Sequence, residues 1–120
     1  MTVLKVLCVD DSAADLLNIE KIVGGTGVHV YTAVNGKDAL VRAHTEKPDL
    51  IFLDVNMPEM DGFATMRELR KDPTTKAIPV VLVTVKNQKA DKIWAQMQGA
   101  AGYVVKPYTP EQILEQIKAF

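Results

Sequence analysis

The chain has 120 residues, 48% of them hydrophobic, which fits one domain with a sizeable core and argues against disorder. A formal net charge of −1 supplies no basic field for nucleic acid, and a single cysteine, Cys8, excludes an internal disulfide and a cysteine-based zinc site. No stretch approaches the roughly 18–20 apolar residues of a membrane span, and Met1 to Lys5 lack a signal-peptide layout, so a cytoplasmic domain without membrane insertion is expected.

A short apolar run followed by a helical pattern recurs along the chain. Val3 to Val9 is Val-rich and nearly all apolar, as in a strand buried on both faces, and places Cys8 as an inert core thiol. The run ends in Asp10-Asp11-Ser12. Ser12 with Asp15 resembles a helix start, and Leu16, Ile19, Ile22 and Val23 follow at helical spacing until Gly24-Gly25. Val28 to Ala33 reads as a second strand. Asn35-Gly36 opens a second helix with Ala39, Leu40 and Ala43 inward.

Leu50 to Asp54 is the third strand, an apolar run that exposes one carboxylate at its end, before the loop Met57-Pro58-Glu59-Met60. Taken alone, Asp54 reads either as a reactive carboxylate or as an Asp that closes a strand or caps a turn. Asp61 caps a helix burying Phe63, Met66 and Leu69, which ends at Asp72-Pro73. Ile78 to Val83 is a fourth strand reaching Thr84. Ala90, Ile93, Trp94 and Met97 form a fourth inward stripe ended by Gly99, and core packing is expected of Trp94. Tyr103 to Val105 is a short fifth strand before Lys106-Pro107. Thr109-Pro110-Glu111-Gln112 is a strong helix start, and Ile113, Leu114 and Ile117 complete the last inner face. His29 and His44 have no companions at ligand spacing and are expected at the surface.

Five strands alternating with five helices give an α/β fold with a parallel sheet wrapped on both sides, and right-handed crossovers point every strand the same way. Asp10, Asp11, Asp54, Thr84 and Lys106 then share one sheet edge, where open α/β sheets bind ligands. Three converging carboxylates repel: at an effective dielectric near 20, each pair about 4 Å apart costs roughly 4 kcal/mol. Such a cluster must raise a pKa or hold a cation, and oxygen donors suit Mg²⁺, which often binds together with phosphate. With the Lys106 ammonium and the Thr84 hydroxyl nearby, the set forms a receptacle for a phosphoryl group, with Asp54 as nucleophile.

Cys8-Val9-Asp10-Asp11-Ser12, Leu53-Asp54-Val55-Asn56-Met57-Pro58 with Asp61-Gly62, Val83-Thr84 and Lys106-Pro107 together resemble the receiver domain of two-component response regulators, over the whole chain. The resemblance implies a flavodoxin-like, doubly wound (βα)5 fold with strand order 2-1-3-4-5. It implies that Asp54 accepts phosphate from a histidine kinase, and that Mg²⁺ is held by Asp10, Asp11, Asp54 and the backbone carbonyl of Asn56. Thr84 and Lys106 would engage the phosphoryl group, Lys106-Pro107 would be cis, and Tyr103 would be the switch aromatic that turns inward as Thr84 moves. Such a protein is not a turnover enzyme: it catalyses only its own phosphorylation and dephosphorylation. Receivers usually have a very small residue after the Thr. Here it is Val85, whose larger side chain is expected to narrow access to Asp54, with Lys86 beside it to influence the attacking water or simply be solvated.

Trp94, Tyr103, Tyr108 and the last helix are expected on one side, the face of helix 4, strand 5 and helix 5 that carries the signal onward in receivers. Residues 1–120 are expected to be a single receiver domain with no output domain, so the signal would leave by protein–protein contact; the alternative is a fragment of a longer regulator. The segment from Lys86 to Ala100 is similar to stand-alone receivers of chemotaxis-like systems for type IV pili and for twitching or phototactic motility. Two other functions compete. A Mg²⁺-dependent aspartyl-phosphate phosphatase of the haloacid dehalogenase type would place an Asp at position 56, which is Asn here. A flavodoxin-like nucleotide module would need a Gly-rich phosphate loop after the first strand, which is missing.

Overall fold

Alternating strands and helices are what the computed structural model shows, over the described residues 2–120. They run β1 (Lys5–Val9), α1 (Ala13–Gly24), β2 (His29–Ala33), α2 (Gly36–Glu46), β3 (Leu50–Asp54), α3 (Gly62–Lys71), β4 (Val80–Thr84), α4 (Lys89–Met97), β5 (Gly102–Val105) and α5 (Pro110–Ala119). The strands form one parallel sheet in the order β2-β1-β3-β4-β5. The expected fold class and strand order are both present. Strand order reverses between β1 and β3, so the crevice beyond their C-terminal ends is the switch point of the sheet.

The central strands are buried on both faces, and every residue of β3 and β4 is buried. Alternate side chains divide the core in two. Leu7, Ile51, Leu53 and Leu82 pack with Ala39 and Ala43 of α2, Met66 and Leu69 of α3, and Ala95 of α4. Val6, Cys8, Phe52 and Val81 pack on the other face with Leu16, Ile19 and Val23 of α1 and Ile113 of α5. Cys8 is fully buried, and burial, followed by the charge of Glu20, pushes its thiol up to about 12, so it is inert as expected. Among the described residues, no helix is long and apolar enough to cross a membrane.

Helix starts follow the caps read from the sequence. Ser12 Oγ accepts from the Asp15 N–H, Asn35 Oδ1 from the Asp38 N–H at 2.8 Å, and Asp61 Oδ1 from the Ala64 N–H at 2.8 Å. Thr109 and Gln112 form the reciprocal capping box. Three strands begin later than the apolar runs did: pairing starts at Lys5 rather than Val3, at His29 rather than Val28, and at Val80 rather than Ile78. At β4 the reason is Pro79, which has no N–H to donate to a ladder.

Helix α4 corrects the sequence reading. Its stripe faces outward: Ala90 is exposed, and Ile93, Trp94 and Met97 are 46%, 49% and 73% exposed. Only Ala95 is buried on this helix, and Trp94 meets the protein edge-on at Phe63, with ring centroids 6.3 Å apart. Helical periodicity says which residues share a stripe, not which stripe meets the sheet. In α4 the inward side is the small Ala95 with Asp91 and Gln98 at its margins.

Candidate functional site

Each site residue stands at the C-terminal end of a strand because the parallel topology leaves it there. Asp10 and Asp11 follow β1, Asp54 ends β3, Thr84 ends β4, and Lys106 follows β5. The carboxylates of Asp10, Asp11 and Asp54 each offer an oxygen within 4.8 Å of the others. Asp10 and Asp54 are each only 5% exposed, while Asp11 is open to solvent. Asp54 was expected to be exposed at its strand end. It is instead buried, with Asp10 and Asp11 after β1 and Lys106 after β5 grouped around it.

Lys106 spans these groups. Its Nζ donates to Asp10 Oδ2 at 2.8 Å and to Asp15 Oδ2 at 2.9 Å, and lies 3.8 Å from Asp54 Oδ1. Burial pulls the ammonium's pKa down, but the hydrogen bonds to Asp10 and Asp15 and the charges of Asp10 and Asp54 outweigh it, leaving Lys106 above its ordinary value. Asp54 moves the other way from a typical carboxylate. Burial first, then the neighbouring charge of Asp10 and that of Asp11, push it up to about 6 against the opposing pull of Lys106 and the Asn56 N–H. Asp10 is anchored from the other side, where its Oδ1 accepts from the Ser12 N–H at 2.9 Å.

The rest of the edge ties the pocket to β5. Thr84 is fully buried, and its Oγ accepts from the Lys86 N–H at 3.3 Å. The Lys86 carbonyl in turn accepts from the Tyr103 hydroxyl at 2.8 Å, so the loop after β4 is held by the aromatic residue on β5. The Lys106-Pro107 peptide is cis, as expected. Val85 is 60% exposed and lines a cavity of about 320 Å³ with Asp15, Asn18, Lys106, Pro107 and Tyr108. Tyr108 does not share a side with Trp94 and Tyr103. Its hydroxyl accepts from Asn18 of α1 at 3.4 Å and its ring packs in the α1/α5 core, whereas Tyr103 packs in the opposite core.

Sequence reasoning read Asp15 only as part of a helix start and missed its place on Lys106. The available signal was position: Asp15 lies in the first turn of α1, three residues after the Ser12 cap and directly beyond the Asp10-Asp11 strand end. Gly62 also escaped attention as a site residue. A Cβ there would stand 2.8 Å from Val55 Cα and closer still to the Asp54 carbonyl oxygen, so only glycine lets α3 begin against the end of β3.

The donor set fits a hard divalent cation: three carboxylates converge, two of them buried, with no nitrogen or sulfur ligand in the group. Fold and acidic pocket together place the chain in the response regulator receiver domain family, whose model matches residues 6–118. Protein PilH of Pseudomonas aeruginosa is 41% identical over 115 residues, covering 96% of this chain and 95% of that protein. Protein PilG of the same organism is 34% identical, covering 97% of this chain and 86% of that one. The chemotaxis response regulator CheY4 of Vibrio cholerae superposes with a TM-score of 0.91 at 34% identity, with 98% of each chain covered. Other relatives are longer, and the chain spans 44% of one and 25% of another. Receiver domains are signalling proteins that bind Mg²⁺ at an acidic pocket, and response regulators receive phosphate from histidine kinases.

Proposed function

We propose that Asp54 is the phosphoacceptor of this receiver and that Asp10, Asp11, Asp54 and the Asn56 backbone carbonyl hold Mg²⁺. The observation that carries the reading is the convergence of Asp10, Asp11 and the Lys106 ammonium on the buried Asp54 carboxylate. The nucleophile is an Asp54 carboxylate oxygen. As its bond to phosphorus forms, the phosphorus–nitrogen bond to the kinase histidine breaks, and that electron pair returns to the imidazole. The metal, when bound, neutralises charge on the equatorial phosphoryl oxygens. Lys106 takes up an oxygen of the same group, and the Thr84 hydroxyl donates to another after leaving the Lys86 N–H.

That last step links the pocket to the partner face. Thr84, Lys86 and Tyr103 form one chain of hydrogen bonds, so a Thr84 that moves toward phosphate disturbs the anchor of Tyr103. The outward apolar stripe of α4 then gives the α4–β5–α5 edge a surface for a downstream protein. Residues 1–120 act as a single receiver unit, and the likeness to PilH and PilG supports a place in a chemotaxis-like system of the type IV pilus kind, with a CheA-like kinase as donor.

The test is incubation with Mg²⁺ and beryllofluoride, read by Trp94 and tyrosine fluorescence, and with acetyl phosphate, read by a mass gain of one phosphoryl group. Both responses should require Mg²⁺ and vanish in Asp54→Asn. A response that survives Asp54→Asn, or that needs no divalent ion, refutes the assignment. Because Val85 stands beside the pocket, a silent acetyl phosphate result is repeated with the cognate kinase.

A further inference from the structure

Among the carboxylates on Lys106, Asp15 alone stands outside the converging trio. An ammonium has three N–H donors. Lys106 uses two of them on Asp10 and Asp15, at 2.8 and 2.9 Å, and keeps Asp54 at 3.8 Å. A divalent cation among Asp10, Asp11 and Asp54 draws on the first and third of these partners and repels Lys106. Asp15 is then the carboxylate left to balance the ammonium. A phosphoryl group on Asp54 reverses the demand: it needs Lys106, and its negative charge is opposed by that of Asp15.

We propose that Asp15 is a positioning residue that holds the Lys106 ammonium as its counter-charge in the resting site, favouring entry of the cation and raising the threshold for the phosphoryl anion. This rests on the phosphoacceptor reading of Asp54. The competing role is local: Asp15 is the third residue of α1, where a carboxylate stabilises the helix N-terminus. Asp38 holds the same place on α2, after the Asn35 cap, and provides a matched control away from Lys106.

Mg²⁺ affinity, and beryllofluoride affinity at saturating Mg²⁺, are measured for the wild type, Asp15→Asn, Asp15→Glu, Asp38→Asn and Asp54→Asn. Asp15→Asn keeps the shape and removes the charge. It should weaken Mg²⁺ and tighten beryllofluoride, each by about two- to fivefold, the range open to a half-exposed ion pair. Asp15→Glu and Asp38→Asn should stay within about twofold of the wild type on both measures. Opposite signs that Asp38→Asn does not reproduce are the signature, since loss of a helix-end charge alone acts alike at the starts of α1 and α2. Shifts of one sign, or shifts no larger than those of Asp38→Asn, overturn the role of Asp15. If wild-type protein binds beryllofluoride only with Asp54 intact while Asp15→Asn changes nothing, this inference alone falls. If the wild type does not bind it, or Asp54→Asn binds it equally well, the phosphoacceptor reading falls and takes this inference with it.

Discussion

Replacing Asp54 by Asn removes a buried charge while keeping the side chain's shape, and the metal-free fold should become more stable as a result. Burial and then the Asp10 charge push the Asp54 carboxyl up to about 6, whereas an aspartate in an unfolded chain titrates near 3.9. The folded state therefore holds this proton more tightly than the unfolded state, and ionisation of Asp54 works against folding. Below about pH 4 both states are protonated and the group has no effect; the penalty grows between about pH 4 and 6 and is complete above that. Two pH units at about 1.4 kcal/mol each give a penalty on the order of 3 kcal/mol, which solvent at the pocket mouth trims to about 2 kcal/mol. Urea unfolding in the presence of EDTA measures it. The variant should be about 2 kcal/mol more stable than wild type near pH 7.5 and equal to it near pH 4. Saturating Mg²⁺ should then stabilise the wild type more than the variant, which has lost a ligand. A variant that is no more stable near pH 7.5, or whose advantage persists at about pH 4, would refute the claim that charge repulsion at Asp54 is stored in the fold.

Two further substitutions test the elements around the pocket. Gly62→Ala should lose about 1–3 kcal/mol in urea unfolding, because the new methyl meets backbone of β3 rather than a flexible side chain; a gain of the size usual for Gly→Ala in a helix would show that α3 does not start against that strand. Trp94→Ala should lose less than about 1.5 kcal/mol, where a core tryptophan would lose about 3–5, and should weaken capture of the phosphorylated protein's target. A loss in the core range would return Trp94 to the interior.

Local chemistry made much of this protein readable from its residues. The Val-rich runs, the Ser12, Asn35, Asp61 and Thr109 caps, and the Gly24-Gly25 and Gly99 stops act within one or two turns of chain, so periodicity and capping rules reach them directly. The parallel topology followed from the alternation, and with it the gathering of Asp10, Asp11, Asp54, Thr84 and Lys106 on one edge. Other properties depend on what packs against what. The α4 stripe turned outward because the sheet needed only the small Ala95 beneath that helix. Asp54 became a buried carboxylate near 6 because its burial, and then the charge of Asp10, outweigh the pull of Lys106. Asp15 met Lys106 across 91 residues of sequence, a pairing set by where α1 begins relative to the end of β5. Residue types and spacing determined which groups reach the switch point; only the folded sheet decided how deeply each is buried and which charge each one faces.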